Sequence, residues 1–118
     1  MARCPFMFDR GFIYHERTRI GNIKNGFIFE GNSACLGVGR RIGNVKNGFI
    51  FEGNSACPGV GRRIGHVKNG IVIAGNSACL GVGHKVCPVD AITIPGIERE
   101  ADAMIAAVFH FLIKDILS

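Results

Sequence analysis

Residues 41–62 read RIGNVKNGFIFEGNSACPGVGR, and the chain writes this unit three times. Residues 19–40 differ from it at two positions, Ile23/Val45 and Leu36/Pro58, and residues 63–84 keep the frame with seven changes. Each copy holds Lys-Asn-Gly, then an apolar run, then Gly-Asn-Ser. Asn-Gly is a strong hairpin signal, because both residues accept positive φ. The apolar run is Phe-Ile-Phe-Glu twice and Ile-Val-Ile-Ala in the third copy. Aromatic and β-branched residues between glycines predict a short strand. Ala-Cys-Leu/Pro-Gly-Val-Gly followed by Arg-Arg-Ile-Gly predicts a second extended piece. A 22-residue unit with this many glycines is too short for a helix pair. The unit is strand–turn–strand, and the fold class is mainly β.

The 118 residues carry 17 glycines at fixed places in the repeat, which separates them from low-complexity disorder. The net charge of +5 comes from scattered arginines, densest at Arg40–Arg41 and Arg62–Arg63. That pattern implies a solvated face or an acidic partner surface, and no nucleic-acid partner is expected. The N-terminal MARCPFMFDR lacks a secretory apolar core, so Sec export is not expected. Five cysteines is an odd number, and three of them (Cys35, Cys57, Cys79) share one repeat position. They are expected as small buried residues rather than as a disulfide framework.

Three segments follow from this. Residues 1–18 form an N-terminal cap, in which Gly11-Phe12-Ile13-Tyr14 echoes Gly26-Phe27-Ile28-Phe29. Residues 19–96 form the three-repeat β domain with a last cap strand at Ile92-Thr93-Ile94. Residues 97–118 hold a helix over Glu98–Leu117, free of Gly and Pro, with acids at its start. Its apolar run, 104–113, is broken only by His110 and is too short to span a bilayer. It packs on the repeats, joins a partner's helix or lies on a membrane surface. The repeats either stack as a linear β-solenoid or close around a pseudo-threefold axis into a small cone. A filament-forming solenoid protein is the alternative function class. A hexapeptide-type transferase would need a period divisible by six, which 22 is not.

Imidazole and thiol groups enter where the repeat stops repeating. His66 replaces Asn22 and Asn44, His84 replaces Arg40 and Arg62, and Cys87 stands at the next equivalent of Gly21, Gly43 and Gly65. His15 lies in the opposite cap. Three histidines and a cysteine can hold zinc or iron tetrahedrally. The plainer reading is that the last repeat meets a different neighbour and its histidines are surface groups. Val86-Cys87-Pro88-Val89-Asp90 resembles the end of a ferredoxin cluster motif, but the Cys-x-x-Cys-x-x-Cys ahead of it is missing.

Arg41-Ile42-Gly43-Asn44, Gly48-Phe49-Ile50-Phe51-Glu52-Gly53-Asn54-Ser55 and Gly59-Val60-Gly61-Arg62 together resemble the PAAR repeat. Proteins of that family cap the spikes of type VI secretion systems, contractile injection systems and phage tails. The resemblance covers residues 10–96, with Asn or His in place of the usual Asp and without the Pro-Ala-Ala-Arg tetrad. It implies a non-catalytic tip on a trimeric β-helical spike, assembled in the cytoplasm and delivered with the particle. It also implies one zinc or iron near the apex, with His15, His66, His84 and Cys87 as ligands and Cys79 in reserve. The C-terminal helix would be an extension that meets cargo or membrane.

Overall fold

The computed structural model describes residues 5–117. Nine strands follow one another along the chain and lie side by side in the same order, each antiparallel to the last. They are β1 (Phe6–Asp9), β2 (Phe12–His15), β3 (Thr18–Lys24), β4 (Phe27–Glu30), β5 (Arg40–Lys46), β6 (Phe49–Glu52), β7 (Arg62–Lys68), β8 (Ile71–Ala74) and β9 (His84–Pro88). The mainly β reading is therefore correct, with one helical segment near the C-terminus. Each long strand ends in the expected Asn-Gly turn. Asn25, Asn47 and Asn69 sit at φ 53°, 54° and 52°, and each following glycine is also positive. Both central residues at positive φ is the hairpin geometry that matches strand twist. Arg10 (φ 53°) and Gly11 make the same turn between β1 and β2, so residues 6–15 form a hairpin of the same kind.

The repeats are hairpins side by side in one sheet, not stacked coils. In each unit the short strand pairs with the next long strand through a bulge. Ile28 faces Gly43 and Phe29 faces Arg41, which leaves Ile42 as the extra residue; Ile20, Ile64 and Val86 are extra at the equivalent places. Four bulges at one register position add twist at each step and curl the sheet.

The sheet's inner face carries Ile13, Ile28, Ile50 and Val72, all fully buried at equivalent positions. Across from the first three stand Gly21, Gly43 and Gly65, and across from Val72 stands Cys87. After β9, the last strand, and a 3-10 turn (Val89–Ala91), the chain crosses back through buried Ile92, Ile94 and Ile97, so the cap strand expected at Ile92-Thr93-Ile94 is not part of the sheet. There the Phe8 amide donates to the Pro95 carbonyl at 2.8 Å, so the last segment reaches the first strand. The body measures 38 × 38 × 23 Å.

Helix α1 (Asp102–Val108) enters this curl and contacts β5, β6 and β7. Every residue from Ala103 to Val108 is buried, as expected for a helix that is apolar all round. A wide π-type turn, Phe109–Ile113, closes with the Lys114 amide on the Phe109 carbonyl. The helical segment thus runs 102–113, not 98–117. At its start, Ile97 is buried and the Glu100 amide is tied back to the Ile97 carbonyl. At its end, His110 captures the amides of Ile116 and Leu117 and turns the chain away. Among the three destinations expected for this helix, the structure shows packing on the repeats.

Ala-Cys-Leu/Pro-Gly-Val-Gly is not a strand. Residues 31–39, 53–61 and 75–83 are loops, and Cys35, Cys57 and Cys79 on them are exposed rather than buried. Gly-Asn-Ser turns the chain out of the sheet before the cysteine is reached.

Candidate functional site

The three loops and the residues that hold them are the most elaborated feature of the outer surface. Each loop opens with a small internal turn. The Ser33 hydroxyl accepts from the Cys35 amide at 3.0 Å and donates to the Cys35 carbonyl, and Ser55 and Ser77 repeat this. Each is then fastened to the sheet by one side chain from the long strand before it. Asn22 Oδ1 accepts from the Gly37 amide at 2.8 Å, and its Nδ2 donates to the Val38 carbonyl at 3.1 Å. Asn44 does the same to Gly59 and Val60, at 2.8 and 3.1 Å. Both asparagines are buried, where an amide left unpaired would be costly, and both ends of each are used.

A second fastening comes from the same long strand. Arg19, Arg41 and Arg63 donate from Nε to the carbonyls of Asn32, Asn54 and Asn76 at 3.2–3.3 Å. The guanidinium of Arg41 lies 5.4 Å from the Phe27 ring centre and 5.8 Å from that of Phe29; Arg63 lies likewise over Phe49 and Phe51. A planar cation over an aromatic face is attracted by the ring quadrupole. What the loops present outward is uncharged. Val38, Val60 and Val82 are each about half exposed, beside Leu36, Leu80 and the three thiols. Between successive loops lie two equivalent clefts. One is lined by Arg40, Arg41, Glu52 and Phe111, the next by Arg62, Arg63, Asn76 and Leu117.

The structure explains most of the third copy's departures as linked changes. Glu30 pairs with Arg40 at 3.8 Å and Glu52 with Arg62 at 3.7 Å; the next pair in register is Ala74 with His84. Acid and base disappear together. Phe27 and Phe29 accompany Arg41, whereas Ile71 and Ile73 accompany Lys85, so rings and guanidinium also disappear together.

His66 stands in the clamp position of Asn22 and Asn44. Its Nε2 accepts from the Gly81 amide at 2.9 Å, while Nδ1 is buried without a partner. Phe49 lies against the ring at 5.5 Å. Burial lowers its pKa from the ordinary imidazole value, and the cations Arg63 and Lys68 lower it further. His110 is the second buried imidazole. Its Nδ1 accepts from the Ile116 and Leu117 amides at 3.1 and 3.2 Å, so the ring is neutral there. Asp115 Oδ1 lies 3.2 Å from the same nitrogen. Burial lowers the His110 pKa, opposed by Asp115 and Glu52.

The four residues expected to hold a metal lie on three strands. His15, on β2, is exposed and stacked on Phe6 with ring centres 4.8 Å apart. His66 is on β7, and His84 and Cys87 are on β9. Cys87 takes the inward register of Gly65 and packs against the core, whereas His66 faces outward to the loop. Cys79, the reserve ligand, is exposed on loop 75–83. Among the described residues no three His, Cys, Asp or Glu side chains are grouped so as to hold a metal ion.

Two roles were absent from the sequence reading. The paired asparagine clamp had a signal: a polar residue repeated inside an otherwise apolar strand. The His110 lock had one too, as the only polar residue in an apolar run. The chain matches no protein-family model, no curated protein and no solved structure.

Proposed function

We propose that this chain is a non-catalytic cap for the end of a trimeric β-helical spike, in a contractile injection system, a type VI secretion apparatus or a phage tail. The observation that carries this reading is the repetition of one surface. Loops 31–39, 53–61 and 75–83 offer three near-identical, uncharged crests, each fastened at the same register position. A partner with threefold symmetry offers the same patch three times, and a single chain satisfies it only by repeating its own face. The buried polar side chains at these crests serve to fix backbone, which suits a mechanical part better than a reactive one.

The test is stoichiometry. Mixed with a trimeric β-helical spike protein, the chain should form a complex of one copy per trimer, read by native mass spectrometry. Three copies per trimer, or no complex, would reject the reading. Concentration-dependent growth of uniform filaments by the chain alone would instead favour the filament-forming alternative. The single zinc or iron implied by the PAAR resemblance belongs to this proposal as a separate element. Elemental analysis of purified protein, with and without His66→Ala, decides it.

A further inference from the structure

The two clefts between successive loops are equivalent by the repeat but not in charge. The cleft between loops 31–39 and 53–61 is lined by Arg40 and Arg41 together with Glu30 and Glu52, so its charges balance. The cleft between loops 53–61 and 75–83 is lined by Arg62 and Arg63, and no acid stands among the described residues that line it. One change in the third copy accounts for the difference. Ala74 faces Gly65 in the register where Glu30 faces Gly21 and Glu52 faces Gly43. The first cleft has the Glu52 carboxylate; the second has only the methyl group of Ala74 at that register position. Its volume, about 600 Å³, falls in the range of ligand clefts, about 300–1,000 Å³.

We propose that the cleft between loops 53–61 and 75–83 binds a carboxylate carried by a ligand, in the place that Glu52 fills in the sister cleft. Arg63 is prepared for an anion. Its Nε donates to the Asn76 carbonyl at 3.2 Å and its plane lies over Phe49 and Phe51, which together hold the guanidinium in one orientation. Its two terminal nitrogens have no hydrogen-bond partner among the described residues. Arg62 beside it is largely exposed and meets Glu52 at 3.7 Å, a solvated pair of little strength that a ligand can share. Guanidinium groups donate in fixed planar pairs that match the two oxygens of a carboxylate. The site requires neither a spike nor a metal.

The sister cleft supplies the control. The full isotope-labelled chain is titrated with two probes, a capped peptide of alternating Gly and Glu and the small dicarboxylate succinate, and followed by NMR. The Arg63 Nε–H signal and the Gly75 and Asn76 amides should shift and saturate, while Arg41, Gly53 and Asn54 shift far less at the same concentration. Saturation by either probe supports the site, and the probe that saturates first tells whether the carboxylate arrives on a chain or as a small molecule. Ala74→Glu installs the acid that the sister registers already accommodate. It should raise the dissociation constant by about tenfold or more, by placing a like charge in the site. Arg62→Gln, at an exposed position, should also weaken binding and adds no side chain to the sheet. Saturation by neither probe, equal shifts in both clefts, or a dissociation constant unchanged in either variant would overturn the site.

Discussion

At the residue scale, the clamps and the inner glycines have the clearest consequences. Asn44→Ala removes both hydrogen bonds of the amide clamp on loop 53–61 and leaves the Gly59 amide and the Val60 carbonyl without that partner, while the Arg41 tie to Asn54 remains. A loss of about 2–3 kcal/mol is expected, read as a lower midpoint in urea denaturation. Gly43 allows close approach. A Cβ there would lie 2.5 Å from the Phe111 ring and 2.8 Å from the Phe51 carbonyl. Gly43→Ala should cost about 1–3 kcal/mol, and Phe111→Leu should recover only part of it, because the carbonyl cannot be trimmed. The sign of the pH effect follows from the two buried histidines. Both have folded pKa values below the ordinary one, so the unfolded chain binds more protons as pH falls below about 6.5. Their neutral burial is fully tolerated above that pH, and stability is lost on acidification. The advantage of His66→Asn over the unaltered chain should be larger at about pH 5 than at about pH 8, measured by thermal denaturation.

At the element scale, the β4–β5 and β6–β7 junctions carry Phe–Arg stacking, and β8–β9 carries Ile with Lys. Installing Ile71→Phe and Ile73→Phe together with Lys85→Arg should stabilise more than the sum of the separate changes, by about 0.5–1 kcal/mol in a double-mutant cycle. The Ala74→Glu, His84→Arg exchange should couple far less, since its counterparts are solvent-exposed ion pairs. The elements were legible in the sequence to unequal degrees. Asn-Gly turns and the Phe-Ile-Phe strands follow from local chemistry, so residues 24–30 and their copies fold as read. The loops do not, because what returns residues 31–39 to the sheet is Asn22, fifteen or more positions back in the chain. The helix ended early for the same kind of reason. Nothing local in Lys-Asp-Ile-Leu announces that His110 will bind two of its amides. His66 drew notice as a break in the repeat, and its position opposite Gly81 depends on a loop path that spacing alone does not give.

At the scale of the whole molecule, one helical segment serves as the interior of a nine-stranded sheet. Leu112, Phe111 and Leu117 occupy the notches left by Gly21, Gly43 and Gly65. Ile28, Ile50 and Val72, now fully buried, would be wet without that segment. A chain ending at Gly96 should therefore show no cooperative thermal transition, and adding a peptide of residues 97–118 should restore one, both followed by circular dichroism. The buried Ala103–Val108 stretch also accounts for an apolar run that does not serve as a span: among the described residues no helix is long and apolar enough to cross a membrane.

The position of that helix in the chain sets the order of events during synthesis. All nine strands leave the ribosome before α1 does. Each hairpin pairs with its sequence neighbour, so the sheet can assemble as it emerges, yet its inner face has nothing to close upon until the final segment arrives. The nascent sheet is thus an adhesive intermediate until α1 covers it.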